Sequence, residues 1–456
     1  MRRGFTFDAA LCVSCKACSA ACILENGLQP GTRTLFAWND HALPLVGVIN
    51  LSMACNHCTD PACASGCPAL AYTVSTDGAV IHHPDRCMGC SYCTWRCPYD
   101  APKINRTLGY IEKCHLCADR TTEGVEPACV TACPTGALKM TETEQFDGTM
   151  PAWFPDTGIK PSVFLKNAEN HYTPLIIPAD DVTVEGEITS TPGAEAGSSV
   201  RLKREWSLAL FSVLVITVSV MLMVAALRGT ALIETTSFRF IPFLLMAGAM
   251  AVSVAHLGVP RKSWRAILNI ISSPLSREIA MVLLLAFVAL LGWVRPGLIP
   301  PLITGFLALL TLISVDNVYF AADRSLSLKL HSGQAYFTGI YAATWFIEPT
   351  IIFIVFSMLA AISVVMRYRS AEADSLTRTL YYTRAMALPL VFMLIYPDSQ
   401  VTDIAALVVF IAGLVADRLL FYCDFRPPNI KDTITEHFDK QYEEERDKQR
   451  QDAGIS

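Results

Sequence analysis

The run Cys87-Met88-Gly89-Cys90-Ser91-Tyr92-Cys93-Thr94-Trp95-Arg96-Cys97-Pro98 decides how this chain is read. Its spacing, C-x2-C-x2-C-x3-C-P, lets three thiolates close on one iron–sulfur cubane while the fourth reaches a second one. Three further quartets accompany it: Cys12, Cys15, Cys18 and Cys22; Cys55, Cys58, Cys63 and Cys67; and Cys114, Cys117, Cys129 and Cys133. Together they use sixteen of the seventeen cysteines, all within the first third of 456 residues.

The quartet at Cys55 is a C-x2-C-x4-C-x3-C-P variant, and the one at Cys114 has a long insertion between Cys117 and Cys129. Both keep the closing C-x3-C, which presents the last thiol from a short helical turn. Pro follows Cys67, Cys97 and Cys133, whereas Ile23 follows Cys22. Even two-residue gaps suit metal ligation better than disulfides, and zinc ribbons use pairs of thiols rather than triplets. The reading is therefore four [4Fe-4S] clusters in two interlocked pairs, with the pairing itself not written in the spacing. His57 and His115, inside ligand loops, read as donors near sulfur rather than as ligands, because the thiol count is already complete.

Between the quartets, Tyr72 to His83 carries Asp77-Gly78 amid alternating apolar residues, and Ile104 to Ile111 around Gly109 is similar; both predict hairpins. Short hairpins and one-turn helices leave little apolar core, so the clusters themselves are the expected core and this half should not fold without them. Met150 to Pro178, rich in Pro and aromatic residues, reads as a segment wrapped over a surface of this domain or a partner. Thr183 to Val200 has the composition of a flexible tether.

The remainder is different. A composition of 52% hydrophobic and 17% charged residues is outside the soluble norm, while a net charge of -5 decides little. Apolar runs predict spans at Trp206–Leu227, Phe240–Leu257, Ile279–Val294, Leu298–Val315, Thr344–Met366, Leu380–Tyr396 and Val401–Tyr422. An eighth arises if Tyr336 to Met366 breaks at Glu348-Pro349. Ionisable residues at such depth are functional candidates: His256, Glu278, Glu348, Asp417 and Arg418. For Asp417 and Arg418 a snorkelling role at the headgroups is an equal alternative. His256 reads as a proton donor or acceptor for quinone chemistry. Cys423 reads as an interfacial cysteine without a role, and Lys431 to Arg450 as a solvated helix or disorder.

The cysteine groups, with Cys55-Asn56-His57-Cys58, Cys87-Met88-Gly89-Cys90 and Lys113-Cys114-His115-Leu116-Cys117, resemble the iron–sulfur subunit of the dimethyl sulfoxide reductase family of molybdopterin oxidoreductases over essentially all of residues 1–165. The resemblance implies one cluster on Cys12, Cys15, Cys18 and Cys133, and its neighbour on Cys22, Cys114, Cys117 and Cys129. It implies a second pair on Cys55, Cys58, Cys63 and Cys97, and on Cys67, Cys87, Cys90 and Cys93. Respiratory nitrate reductases are similar but have tryptophan, and a three-iron cluster, where Cys93 stands. His256-Leu257-Gly258-Val259-Pro260, Ser276-Arg277-Glu278 and Asp417-Arg418-Leu419-Leu420-Phe421-Tyr422 are similar to that family's membrane anchor subunit. That likeness implies a menaquinol site at His256 and Glu278, although Arg261-Lys262-Ser263-Trp264-Arg265 departs from the family's usual run.

The expected fold class is an α+β bacterial-ferredoxin-like four-cluster domain (1–165), a partly ordered linker (166–205), an all-α polytopic membrane bundle of seven or eight spans (206–423) and a charged tail (424–456). The resemblance implies a fusion of two subunits usually separate, passing electrons from menaquinone or ubiquinone in its quinol form to a molybdopterin (bis-guanine dinucleotide) catalytic subunit that reduces dimethyl sulfoxide or a similar substrate. The same wire run in reverse, for instance from sulfite, is one alternative, and a metal-binding membrane sensor or transporter is another. No nucleic-acid partner is expected. The expected location is the lipid bilayer of the bacterial inner membrane. Arg201, Lys203, Arg204, Arg261, Lys262, Arg265 and Arg277 place the cysteine domain on the cytoplasmic face, while Arg367, Arg369, Arg378 and Arg384 fall opposite. Cys12 stands too close to Met1 to leave room for an export signal, which agrees with that placement.

Overall fold

The computed structural model describes residues 1–38, 48–146, 150–167, 198–228, 236–322, 400–425 and 429–438, with a few isolated positions besides. The protein forms two compact units, Met1–Thr189 together with Pro427–Ser456, and Ser190–Arg426.

The first unit is built on β1 (Arg2–Asp8), whose alternation turns Phe5 and Phe7 inward. Short helices and hairpins follow: α1 (Ala17–Asn26), β2 (Thr34–Trp38), β3 (Ile49–Met53), α2 (Ala62–Ser65), β4 (Tyr72–Val74), β5 (Val80–His82), α3 (Tyr92–Arg96), β6 (Lys103–Asn105), β7 (Tyr110–Glu112), α4 (Ala118–Thr122) and α5 (Ala128–Thr131). The chain then returns to β1, with β8 (Leu138–Thr143) antiparallel on one side and β9 (Val163–Lys166) parallel on the other. Gly4 is required at this junction, since a Cβ there would lie 2.1 Å from the Ser162 carbonyl oxygen. Both expected hairpins form, with Tyr72 opposite His82 and Ile104 opposite Ile111, and Gly78 and Gly109 take the positive φ of their turns. Helix α1 packs on α5, and α2 on α3.

Two expectations for this unit need correction. An apolar cluster of Phe5, Phe7, Leu51, Leu138 and Val163 surrounds the thiols, so the core is more than its cysteines. In the tail, α11 (residues 430–438) is not a solvated element. Ile430, Ile434 and Phe438, spaced at i, i+4 and i+8, are buried in that same cluster, a stripe hidden among charges. Trp38 donates its indole N–H to Thr435 Oγ1 at 3.0 Å, and Asn429 caps the helix by accepting from the Lys431 N–H at 2.9 Å. The wrapped segment lies on its own unit as far as described: Trp153 and Phe154 are buried and Phe154 stacks on Tyr99 at 5.5 Å. Residues 168–197, which hold most of the expected tether, lie outside the described residues, whereas its last three residues, 198–200, are helical.

The second unit is helical: α6 (Ser198–Arg228), α7 (Thr236–Ala255), a 3-10 segment (Pro260–Ile267), α8 (Pro274–Val294), α9 (Pro301–Ala322) and α10 (Gln400–Asp424). Helix α6 packs against α7, α9 and α10. Gly305 allows α9 to approach closely, because a Cβ there would meet the Ala226 Cβ at 2.6 Å. Ser273 and Pro274 start α8, the serine accepting the Ser276 N–H. Among the described residues three helices are long and apolar enough to cross a membrane, Glu205–Leu227, Pro274–Val294 and Pro301–Ala322, or four if the pair Phe240–Ala255 and Pro260–Ile267, bent by 114°, counts as one span. The expected spans at Thr344–Met366 and Leu380–Tyr396, and the break at Glu348-Pro349, lie almost wholly outside the described residues. Cys423 is buried within the helical unit.

Candidate functional site

Four cavities open among the short helices of the first unit, and four thiols line each. One has Cys12, Cys15, Cys18 and Cys133; the next has Cys22, Cys114, Cys117 and Cys129; the third has Cys55, Cys58, Cys63 and Cys97; the last has Cys67, Cys87, Cys90 and Cys93. The closing cysteine of every run has crossed to another run's cavity. The packing of α1 on α5 and of α2 on α3 produces this exchange, because those helices carry Cys18, Cys22, Cys129, Cys63 and Cys93.

The four loops share one backbone turn. The residue before the second cysteine has positive φ in every case: Ser14 (58°), His57 (44°), Gly89 (72°) and Leu116 (61°). Behind the prolines, Leu70, Asp100 and Gly136 do the same. Left-handed backbone at non-glycine residues costs on the order of 1–3 kcal/mol each and persists only where surroundings enforce it. The turns point N–H groups at sulfur: Gly89 to Cys87 Sγ, Leu116 to Cys114 Sγ and Ala71 to Cys67 Sγ, each at 3.4 Å.

Burial pushes two thiols toward the protonated form, Cys22 up to about 11 and Cys97 up to about 12, with neighbouring cysteines adding to the rise at both. Cys63, Cys90 and Cys114 rise further for the same leading reason. Cys133 goes the other way: its modest burial is outweighed by backbone N–H groups of Leu138, Thr135 and Ala137 and by the Thr135 hydroxyl.

Two buried cations, Arg33 and Lys113, stand among the cavities. Arg33 is 1% exposed, donates through Nη1 to Ser52 Oγ at 3.0 Å and lies over the Phe5 ring. Burial would lower its pKa, but the thiolates of Cys129, Cys114, Cys22 and Cys18 raise it on balance. Lys113 is 4% exposed and its Nζ donates to Cys55 Sγ at 3.4 Å, to the Cys114 carbonyl at 2.7 Å and to the Val80 carbonyl. His57 Nδ1 accepts the Val80 N–H at 3.0 Å and His115 Nδ1 accepts the Ala118 N–H at 3.1 Å, which leaves the ring N–H of each on Nε2. Burial, reinforced chiefly by Lys113, holds both imidazoles below their ordinary range, His57 well below it. Side chains hydrogen-bonded to sulfur include Lys113, Asn26 and, by one of two proton placements each, Ser52 and Thr135.

The residues present fit an iron–sulfur cluster. Arg33 Nε and Nη2, Asn56 Nδ2 and His57 Nε2 are buried and have no hydrogen-bond partner among the described residues, so donors outnumber acceptors around the thiols. Nor do three Cys, His, Asp or Glu side chains converge tightly enough to hold one ion among the described residues. A zinc site would bring its thiolates within about 3.8 Å of one another, given Zn–S bonds of about 2.3 Å. These thiols are spread around a larger guest.

A 4Fe-4S dicluster domain matches residues 46–143. The sequence is 39% identical over 149 residues to an iron–sulfur polypeptide of the anaerobic dimethyl sulfoxide reductase of Escherichia coli, a match that covers 30% of this chain and 71% of that relative. The protein belongs to that family of iron–sulfur polypeptides. The family likeness extends to the corresponding polypeptide of the polysulfide reductase of Wolinella succinogenes, 38% identical over 30% of this chain and 73% of the relative. It extends also to that of the tetrathionate reductase of Salmonella typhimurium, 31% identical over 38% of this chain and 76% of the relative. Each match takes in most of the family member and well under half of this chain.

In the helical unit, Glu278 is buried one turn into α8 and interacts electrostatically with Asp316 of α9 and Arg418 of α10. No hydrogen bond or charge interaction joins it to His256 among the described residues. His256 lies just beyond α7, with Nδ1 buried and unpaired among the described residues. Arg418 does not snorkel: it is fully buried, donates through Nε to Ser212 Oγ at 3.2 Å and lies over the Phe421 ring at 4.9 Å, with Nη1 and Nη2 unpaired among the described residues. The hydroxyls of Tyr319 and Tyr422 pair beside it. Asp316 and Tyr319 carry no sequence signal, because single polar residues in apolar runs reveal their meeting only through helix packing.

Proposed function

We propose that this chain fuses an electron wire to a quinone-reactive membrane anchor and carries electrons between the quinone pool and a molybdopterin catalytic subunit, from quinol toward an oxidised substrate of the dimethyl sulfoxide kind. The observation that carries the reading is the set of four cavities, each lined by four thiols with the closing cysteines exchanged. On this reading Cys12, Cys15, Cys18 and Cys133 hold one [4Fe-4S] cluster, and the other three sets hold one each in the groupings above. When bound, the clusters supply one-electron redox chemistry. The protein's own part is to exclude water with buried Tyr92, Tyr99, Met88 and Leu116, and to direct N–H groups and two cations at the thiolates.

The helical unit is the anchor, with His256 and Glu278 at the quinone, and the apolar helices in the bacterial inner membrane with the cysteine unit on the cytoplasmic face. Glu278 has the company of Arg418 and Asp316, a constellation able to hold a polar head group and pass a proton. The full chain, purified anaerobically in detergent, should contain iron and acid-labile sulfide in equal amounts, four of each per cluster, and give reducible cubane signals by electron paramagnetic resonance. A quinol analogue should reduce them, and His256→Ala should abolish that reduction while leaving the dithionite-reduced spectrum intact. Near-stoichiometric zinc without sulfide ends the reading, and normal quinol reduction in the variant removes His256 from the site.

A further inference from the structure

Lys113 is placed where no single cluster requires it. Its ammonium donates to the sulfur of Cys55, which lines one cavity, and to the carbonyl of Cys114, whose thiol lines another. A third donation goes to the Val80 carbonyl, which uses the last of its three protons. The group is fixed, almost fully buried, and belongs to neither quartet.

We propose that Lys113 is a positioning residue that bridges the cavity of Cys55, Cys58, Cys63 and Cys97 to the cavity of Cys22, Cys114, Cys117 and Cys129, and that its charge holds up the reduction potentials of the two clusters those cavities take. The proposal rests on the reading that the cavities hold [4Fe-4S] clusters. An added electron makes each cluster one unit more negative, so a fixed cation in low dielectric favours the reduced form. Because one ammonium faces both cavities, it stabilises both reduced forms and keeps the two potentials from drifting apart. Its ionisation follows from its contacts: Nζ makes three donations, to Cys55 Sγ and to the Cys114 and Val80 carbonyls, which takes all three protons of an ammonium. Its three donations all go to the bridged region, so the clusters at Cys12 and at Cys67 lie beyond its hydrogen-bonding reach.

The test is a potentiometric titration, followed by electron paramagnetic resonance, of the full chain in detergent. Lys113→Gln keeps an N–H donor without the charge. At a poise where a bridged cluster of the unaltered protein is half reduced, its reduced-to-oxidised ratio should fall about tenfold in the variant, equivalent to 59 mV for a one-electron couple. Two of the four centres should move in this way and two should stay, and Lys113→Arg should restore both. Four unmoved centres, four equally moved centres, or a shift confined to one overturns the proposal. If Lys113→Gln fails to load, 15N-lysine labelling of the unaltered protein decides instead, since the ammonium nitrogen should couple magnetically to the reduced centre of the Cys55 cavity. Absence of that coupling overturns the proposal. Iron and sulfide analysis of the same samples separates the two failures. Too little iron in the unaltered protein removes the cluster reading, whereas full loading with unmoved potentials removes only the role of Lys113.

Discussion

Phe438 offers the sharpest test of how the tail is held. It is 3% exposed and touches two tryptophans, with ring centroids 6.1 Å from Trp38 and 5.9 Å from Trp153. Truncating a buried phenylalanine to alanine costs on the order of 3–5 kcal/mol, aromatic contacts included. Helix α11 follows the helical unit in sequence, so it can lift off without unfolding β1 or its neighbours. The loss should therefore appear in the docking equilibrium rather than in global stability. Even at about 3 kcal/mol, Phe438→Ala raises the undocked population roughly 150-fold.

Tryptic cleavage after Lys431 reads that population, because the bond lies inside the helix and must open before it can be cut. Cleavage should accelerate by about two orders of magnitude while the absorption of the cysteine unit is unchanged. Lys440→Ala is the matched control. Its ion pair with Glu436 joins two side chains that are each about two-thirds exposed and screened by water, so its loss should leave the cleavage rate nearly unchanged. Cleavage of Phe438→Ala at the unaltered rate would show that Ile430 and Ile434 alone hold the helix, and the reasoning from its burial would fail.

Three further outcomes follow from the first unit. Cys97→Ser should remove the spectroscopic signature of the cluster held with Cys55, Cys58 and Cys63 and leave the one held by its own sequence run, Cys87, Cys90 and Cys93; the reverse pattern would disprove the exchange of closing thiols. Gly4→Ala should cost on the order of 1–3 kcal/mol by forcing β9 away from β1, seen as a lowered midpoint of chemical unfolding, and an unchanged midpoint refutes the close approach. Anaerobic iron chelation should collapse the protease resistance of the first unit and free α11 together, because Cys18, Cys22, Cys55 and Phe438 belong to one packed cluster; a tail still protected in chelated protein refutes that link.

The thiol code was legible because ligand spacing is local: C-x2-C fixes a loop whatever surrounds it. The hairpins at Gly78 and Gly109 were legible for the same reason, since a turn needs positive φ within a few residues. What stayed hidden depends on long-range packing. Lys113 heads the run that ends at Cys117, but nothing in that run shows its ammonium meeting the Val80 carbonyl, which β5 delivers. Arg33 sits in an unremarkable turn yet reaches Ser52 across the sheet. Ile430, Ile434 and Phe438 were masked by the acids and bases between them, which lower the average hydrophobicity without disturbing the stripe. In the helical unit the apolar runs announced candidate spans, but the meeting of Glu278, Asp316 and Arg418 required the crossings of α8, α9 and α10.

These hidden residues bear on the order in which the polypeptide acquires its structure. Arg33 and Lys113 are buried, and the negative groups facing them are thiolates rather than carboxylates. A buried cation without its counter-charge is strongly destabilising, and burial alone drives the thiols toward their neutral form. On the proposed cluster reading, binding iron ionises the thiols and so supplies the counter-charge that these two cations need. Its apolar cluster is completed by Ile430, Ile434 and Phe438, residues that follow the whole helical unit in sequence. Ligand binding and the docking of α11 act on the same packed cluster. Each raises the stability of the state that favours the other, which couples assembly of the metal centres to completion of the fold.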